Sequence, residues 1–226
     1  MKQRMLSVMT YRSFEELSAN ETEGLDYRIR DRGGASEIAV VAIHGGGIEP
    51  GTTEIAEATA GERHAFYTFS GLKSRGNGRL HITSRRFDEP RCLRRARLAH
   101  TVISIHGCGD AEPLVLLGGR HNRLGQLIGQ SLETAGFVVR RSVRFPGLSP
   151  QNICNRGRLR RGVQLEISAG LRSLMFGDLT RSQRKKPSPL LLCFVTAVQA
   201  ALDTFEKTDR DAKDLQGGAG AQNGTT

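Results

Sequence analysis

The stretch Val40-Val41-Ala42-Ile43-His44-Gly45-Gly46-Gly47-Ile48-Glu49 decides how this chain is read. Residues 37 to 43 are nearly all apolar, and the run ends abruptly in a histidine, three glycines and, after Ile48, a carboxylate. A continuous apolar run of this length reads as a strand covered on both faces. Its carboxyl end delivers an imidazole and a carboxylate into one tight loop. The glycines remove Cβ bulk and permit unusual backbone angles, so that His44 and Glu49 can turn toward one point. That is half of a metal site, and it directs attention to other strands that end in ligands.

Thr101-Val102-Ile103-Ser104-Ile105-His106-Gly107 repeats the pattern of an apolar strand ending in His-Gly. Gly162-Val163-Gln164-Leu165-Glu166-Ile167-Ser168 reads as a further strand that carries a carboxylate among apolar neighbours. A charge there is costly unless it is paired or functional. Other strands are expected at His64 to Phe69, Leu80 to Thr83, Leu114 to Leu117 and Phe137 to Val143. Helices are expected at Ser13 to Leu17, capped by Ser13, and from Gly51 to Ala58, capped by Thr52 or Thr53. Three more are expected at Glu89 to Leu98, at Asn122 to Thr134 with Gly136 just past its end, and at Pro189 to Lys207.

Strands alternate with helices, which argues for an α/β sheet with helices on both faces. Functional groups in such sheets gather at the carboxyl ends of strands, where His44, His106 and Glu166 fall. A catalytic zinc takes three protein ligands from His and Asp/Glu and leaves a position for water. His44, Glu49 and His106 supply such a set, with Glu166 as the carboxylate that handles the proton. Spacing alone also admits a core role for each histidine, a solvent-facing loop role for Glu49 and an ion-pair role with an arginine for Glu166. His64 and His121 rank lower as ligands, because neither ends an apolar strand at a glycine loop.

The 226 residues suit one domain, expected over residues 1–210, followed by a disordered tail from 211 to 226 that is poor in hydrophobic residues. Hydrophobic residues make up 38% and charged residues 25%, the profile of a soluble chain. No apolar run approaches the roughly 20 residues that span a bilayer. The basic start, Met1 to Leu6, has no long apolar segment after it and does not read as a secretory signal, so a cytoplasmic protein is expected. The first residues are expected to be loosely held. Four widely spaced cysteines without a CxxC pair do not read as a disulfide or zinc framework, and Cys92 and Cys193 read as core residues. The net charge of +10, carried largely by arginine clusters at 91–97, 140–144 and 156–161, favours a polyanionic partner. Nucleic acid and an acidic polypeptide both satisfy it, and a solvated face explains many charge runs.

Four segments together resemble a known family, the phage and bacterial poly-γ-glutamate hydrolases, some of whose relatives are labelled phage-related replication proteins. The first runs from His44 to Glu54, and the second from Phe69 through Gly76-Asn77-Gly78-Arg79-Leu80-His81-Ile82-Thr83-Ser84 to Pro90. The third is Ser104-Ile105-His106-Gly107, and the fourth runs from Asn152-Ile153-Cys154-Asn155-Arg156 to Ser168. The resemblance covers roughly residues 12 to 205. It implies a mixed, mostly parallel sheet flanked by helices as in zinc carboxypeptidases, one zinc ion, and hydrolysis of an amide bond.

The resemblance also implies His44, Glu49 and His106 as ligands and Glu166 as general base. Four residues separate His44 from Glu49 where the carboxypeptidase motif has two, which keeps Glu54 open as the third ligand. Within the same segments, Arg79, His81 and Arg156 are candidates to stabilise an oxyanion. Asn77 and Asn155 are candidates to bond the substrate amide. The partner is then an anionic γ-linked polymer met by a monomeric enzyme, which phage lysis would release. A nucleic-acid-binding module is the rival from another class. It lacks aromatic platforms, with three Tyr, nine Phe and no Trp, and shows no helix-turn-helix or finger spacing. An inactive relative that binds acidic polymer is the third reading.

Overall fold

The computed structural model describes residues 11–186 and 188–218. The expectation for the first residues, and the last part of the expected tail, lie outside them. Seven strands form one sheet: β1 (Tyr27–Arg32), β2 (Ile38–Gly46), β3 (Ala65–Gly71), β4 (Thr101–Cys108), β5 (Val115–Gly119), β6 (Val139–Arg141) and β7 (Val163–Ser168), in the order β1-β3-β2-β4-β7-β5-β6. The inner strands β3, β2, β4 and β7 are parallel, as the apolar runs predict. β1 runs antiparallel to β3, β5 runs antiparallel to β7, and β6 lies parallel to β5, which makes the sheet mixed.

Successive side chains of β2 face opposite sides. Ile38, Val40 and Ala42 join one core with Ile103, Ile105, Val163, Leu165 and Ile167. That face is covered by α2 (Thr52–Ala60), α4 (Asn122–Thr134), α5 (Ala169–Phe176) and α6 (Pro189–Gly218), whose apolar residues complete the same cluster. Ala39, Val41, Ile43 and Val102 join the other core with Leu17 of α1 (Phe14–Ser18) and with Cys92 and Ala96 of α3 (Pro90–Leu98). On this second face β4 and β7 also place Ser104, His106, Gln164 and Glu166. They are buried and polar, and they lie under loops rather than under a helix. The chemistry therefore collects on the half of the sheet that no helix covers.

Several expectations change. Leu80 to Thr83 is not a strand: Asn77–Leu80 is a 3-10 turn, and the chain then runs unpaired past β2. β1 and α5 went unread. Phe137 to Val143 shortens to β6. α2 is capped by Gly51 at φ 100°, not by a threonine hydroxyl, because Thr52 and Thr53 lie inside the first turn and bond elsewhere. Cys193 is exposed on α6, not in the core, while Cys92 is buried. The expected caps at Ser13 and Gly136 are present. α6 runs to Gly218, beyond the expected Lys207. Over Pro189–Asp209 it is long and apolar enough to cross a membrane, contrary to the expectation that no apolar stretch reaches that length. Here Phe194, Val198, Leu202 and Phe205 are buried in the core of the sheet.

Two histidines away from the strand ends are structural. His64 Nδ1 lies 2.6 Å from Ser36 Oγ, and His121 caps α4 by accepting a hydrogen bond from the Leu124 amide at 3.3 Å. Burial, reinforced by Arg63 at one and Arg161 at the other, brings each down to about 4 from 6.5. Between those values the unfolded chain takes protons that the folded chain refuses. Their contribution is therefore complete above pH 6.5 and is lost as the pH falls toward about 4, by up to about 3 kcal/mol each. Thermal melts from pH 7 to 4 should show this loss. His121→Asn keeps a capping oxygen and should make the slope shallower; an unchanged slope would rule out His121 as a contributor.

Candidate metal centre and cleft

A bulge aims His44. Between Ala42 and Gly45, β2 advances by three residues while β3 advances by two, from Thr68 to Ser70. One extra residue breaks the alternation. His44 would otherwise point to the face of Val40 and Ala42, and instead joins His106. Pairing of β2 with β4 stops at Val41 and Ser104, so the strands part as the histidines are reached. Gly45 permits the bend: a Cβ there would lie 2.1 Å from Thr53 Oγ1 and 2.5 Å from Thr68 Oγ1. Gly46, at φ 65°, takes the left-handed turn that follows. The Glu49 amide closes the loop on the His44 carbonyl at 2.8 Å.

His44 Nδ1 lies 2.9 Å from Glu49 Oε1 and 3.2 Å from His106 Nδ1. Glu49 Oε2 accepts from the Gly107 amide at 2.8 Å and lies 3.6 Å from His106 Nδ1. The far nitrogen of each ring is already engaged. His44 Nε2 lies 2.8 Å from the Ile82 carbonyl, and His106 Nε2 lies 2.8 Å from Ser104 Oγ and 3.3 Å from Ser84 Oγ. A carbonyl only accepts, so His44 Nε2 carries a proton, and in the neutral ring Nδ1 presents a lone pair. When His106 Nε2–H donates to Ser104 Oγ, its Nδ1 also presents a lone pair, and the two nitrogens, 3.2 Å apart beside a carboxylate, can share one cation. Outer hydrogen bonds of this kind fix the orientation of metal-binding imidazoles. One ligand atom from each of His44, Glu49 and His106 lies within 4.8 Å of the others, and this two-His, one-carboxylate set fits a metal ion of the zinc type. Glu54 is not in the cluster. It lies on α2, 3.7 Å from Arg184 Nη1, with Oε2 buried and unbonded.

Burial lowers the pKa of His44, against the opposing pull of Glu49. Burial would raise Glu49, but the adjoining His44, with hydrogen bonds from His106, His44 and His81, holds it well below the usual carboxylate value. His106 is raised despite burial, because Glu166 and Glu49 both attract its proton. Burial raises Glu166; His106 opposes the rise and Glu49 adds to it. Glu166 is directly across from His106 in the β4–β7 register. Its Oε1 accepts from Gln164 Nε2 at 3.0 Å, and Gln164 Oε1 accepts from Asn152 Nδ2 at 2.8 Å.

The cluster floors a cleft of about 590 Å³, walled by His81 to Arg85 and by Phe145 to Ser149. His81 stacks on His44 at 3.8 Å between ring centres, with Nε2 3.5 Å from Glu49 Oε1. His44, Glu49, His81, His106 and Glu166 thus come together. The other four do not line the cleft. Arg79 points outward to the Tyr11 hydroxyl at 3.4 Å. Asn77 is buried, with its amide spent on the Lys73 backbone. Asn155 spends its amide on the Gly147 and Ser149 carbonyls and the Gly162 amide, and so shapes the cleft wall from behind. Arg156 bonds the Gln151 and Arg85 carbonyls. Arg85 was missed: it lines the cleft and makes no ion pair among the described residues. Arg172 was missed too. It is buried beneath the loops and bonds the carbonyls of Pro50, Cys108 and Ile167.

A mixed sheet that gathers two imidazoles and two carboxylates at the carboxyl ends of its parallel strands defines an α/β enzyme with a candidate metal centre. Residues 11–200 match the poly-gamma-glutamate hydrolase family model, and the chain belongs to that family of hydrolases. It is 40% identical over 177 residues to the UPF0714 protein YndL of Bacillus subtilis (strain 168), spanning 77% of this chain and 69% of YndL. A solved bacteriophage poly-gamma-glutamate hydrolase superposes with a TM-score of 0.86 at 32% identity, over 88% of this chain and 99% of that one. YndL in a form described as zinc-free apo superposes with a TM-score of 0.82 at 35% identity, over 86% of this chain and 98% of that one.

Proposed function

We propose that this chain cleaves γ-glutamyl amide bonds of poly-γ-glutamate, or of a closely similar acidic polymer, with one zinc ion held by His44, Glu49 and His106. The observation that carries this reading is the pair of Nδ1 atoms 3.2 Å apart beside Glu49 and opposite Glu166. The zinc-free description of the related YndL supports the choice of metal. When bound, zinc supplies Lewis acidity, polarising the scissile carbonyl and acidifying water.

The chain's own groups do the rest. Glu166 takes the proton of the attacking water and delivers it to the departing amide nitrogen. Gln164 and Asn152 hold its carboxylate in one orientation. Burial favours the protonated form of Glu166, which suits a group that must both accept and release a proton. On the cleft wall, Arg85 and His81 offer N–H donors to the developing oxyanion and to the free α-carboxylates beside the scissile bond. Each γ-linked unit carries one such carboxylate, and a net charge of +10 draws the polymer in.

The test is elemental analysis of the purified protein, followed by incubation with poly-γ-glutamate and sizing of the products. One zinc per chain and shortened polymer are expected, with cleavage abolished by a chelator. Intact polymer in the presence of fully bound metal would refute the reading.

A further inference from the structure

A second basic groove adjoins the cleft, separated from it by the loop that carries Ser149 to Asn152. It has a volume of about 650 Å³ and is lined by Arg97, Arg156, Arg158, Arg160 and Gln151. Among the described residues, Arg158 alone of these arginines makes an ion pair, with Glu37. Arg97 and Arg160 are exposed and make no ion pair among the described residues. Arg156 is half-buried and hydrogen-bonds backbone carbonyls; burial lowers its pKa and Arg97 adds to this, against a raising pull from Cys92 and Asp88. Four guanidinium groups around one groove, with a single carboxylate partner among the described residues, leave positive charge for an anion to meet. Arg160 adds an observation of backbone. Among the described residues it is the one non-glycine with positive φ, at 54°, a conformation that a side chain resists. The turn gains nothing from arginine there that glycine would not give.

We infer that this arginine groove is a second binding site, which grips the anionic γ-linked polymer outside the catalytic cleft. This rests on the polymer reading proposed above. The two sites share a wall: Arg156 Nη2 bonds the carbonyl of Arg85, a residue that lines the cleft. A chain that leaves the cleft past Ser149 meets the arginines next. The carboxylates that recur along the polymer match forked guanidinium donors. Nucleic acid fits less well, since no aromatic side chain lines the groove to stack on a base.

The test uses the full zinc-loaded chain with Arg97→Gln combined with Arg160→Gly. Glycine suits the left-handed backbone, so the variant should fold at least as well as the parent. KM for long polymer should rise by about tenfold, while kcat/KM for a two- or three-unit γ-glutamyl oligomer stays at the parent value. An unchanged KM for long polymer, in a parent that cuts it, overturns the groove and leaves the substrate reading intact. Binding of fluorescent poly-γ-glutamate in the Glu166→Gln background reads the groove without turnover. It should weaken to the same extent when the two arginines are replaced, and equal binding overturns the groove whether or not the parent cuts the polymer. Single-stranded DNA that binds the parent more tightly than the polymer, and is lost with the arginines, overturns it in favour of nucleic acid.

Discussion

Replacing Glu166 by Gln lowers kcat by about two to four orders of magnitude, the usual contribution of a positioned acid–base group, while zinc content stays at the parent level. The two halves of this expectation come from different parts of the structure. Glu166 lies outside the group whose ligand atoms converge, so its loss should not release metal. Glutamine has the same shape, and its carbonyl can still accept from Gln164 Nε2, now 3.0 Å from Oε1. The chain Asn152–Gln164–residue 166 therefore persists. Glu166 is 6% exposed, and burial already disfavours its charge. Exchanging it for a neutral amide should change stability by no more than about 1 kcal/mol. Only the capacity to carry a proton is lost. The measurements are zinc content, a thermal melt and turnover on the same preparation. Parent-level turnover would exclude Glu166 as the base, and loss of zinc would make it a ligand instead.

The parallel centre of the sheet was legible because β2, β4 and β7 are buried on both faces, and a strand in that position must be apolar along its length. The edges were harder. β1, Tyr27-Arg28-Ile29-Arg30, buries Tyr27 and Ile29 and turns its arginines outward, so it carries a period-two pattern that charge disguised. α5 follows β7 without a loop, and Ser168 ends the strand while capping the helix through the Leu171 amide. No turn residue marks the change. Leu80 to Thr83 alternates like a strand, yet the Ile82 carbonyl goes to His44 rather than to a sheet neighbour.

In the site, strand-end position carried the information. His44, His106 and Glu166 meet in one cleft because a strand fixes where its end points. Arg79, Asn77, Asn155 and Arg156 were chosen for belonging to the same segments, and such membership does not say which way a side chain faces. Asn77 and Asn155 are buried because their amides close loops, a role that sequence does not separate from contact with a ligand. Arg85 sits in Thr83-Ser84-Arg85-Arg86, where nothing distinguishes it from its exposed neighbour. The candidate for third ligand is the instructive case. Spacing left Glu49 and Glu54 both open. The turn that bonds the Glu49 amide to the His44 carbonyl brings Glu49 back to the ring, while α2 carries Glu54 toward Arg184.

That difference gives the other large effect. His44→Ala and Glu49→Gln should each bind zinc more weakly than the parent, by more than the roughly 100-fold that loss of a single outer hydrogen bond can cost, and Glu54→Gln should bind it as the parent does. Glu49→Gln is the cleaner variant. His44→Ala also strips the Ile82 carbonyl of its partner and so confuses lost metal with lost structure. Glutamine at 49 can still accept from the Gly107 amide, which keeps the loop closed, but it no longer brings negative charge to the two imidazoles. Glutamine at 54 replaces a carboxyl that burial raises toward its neutral form, and whose Oε2 is unbonded, so it should be tolerated. Melting temperature provides a readout independent of turnover. Zinc at 100 times its dissociation constant stabilises a protein by about 2.7 kcal/mol. A chelator should therefore lower the melting temperature of the parent and of Glu54→Gln, and leave those of Glu49→Gln and His44→Ala where they were. If Glu54→Gln proved the variant blind to the chelator, α2 would have to turn its first turn toward the histidines when metal enters, and Glu49 would be a hydrogen-bond partner rather than a ligand.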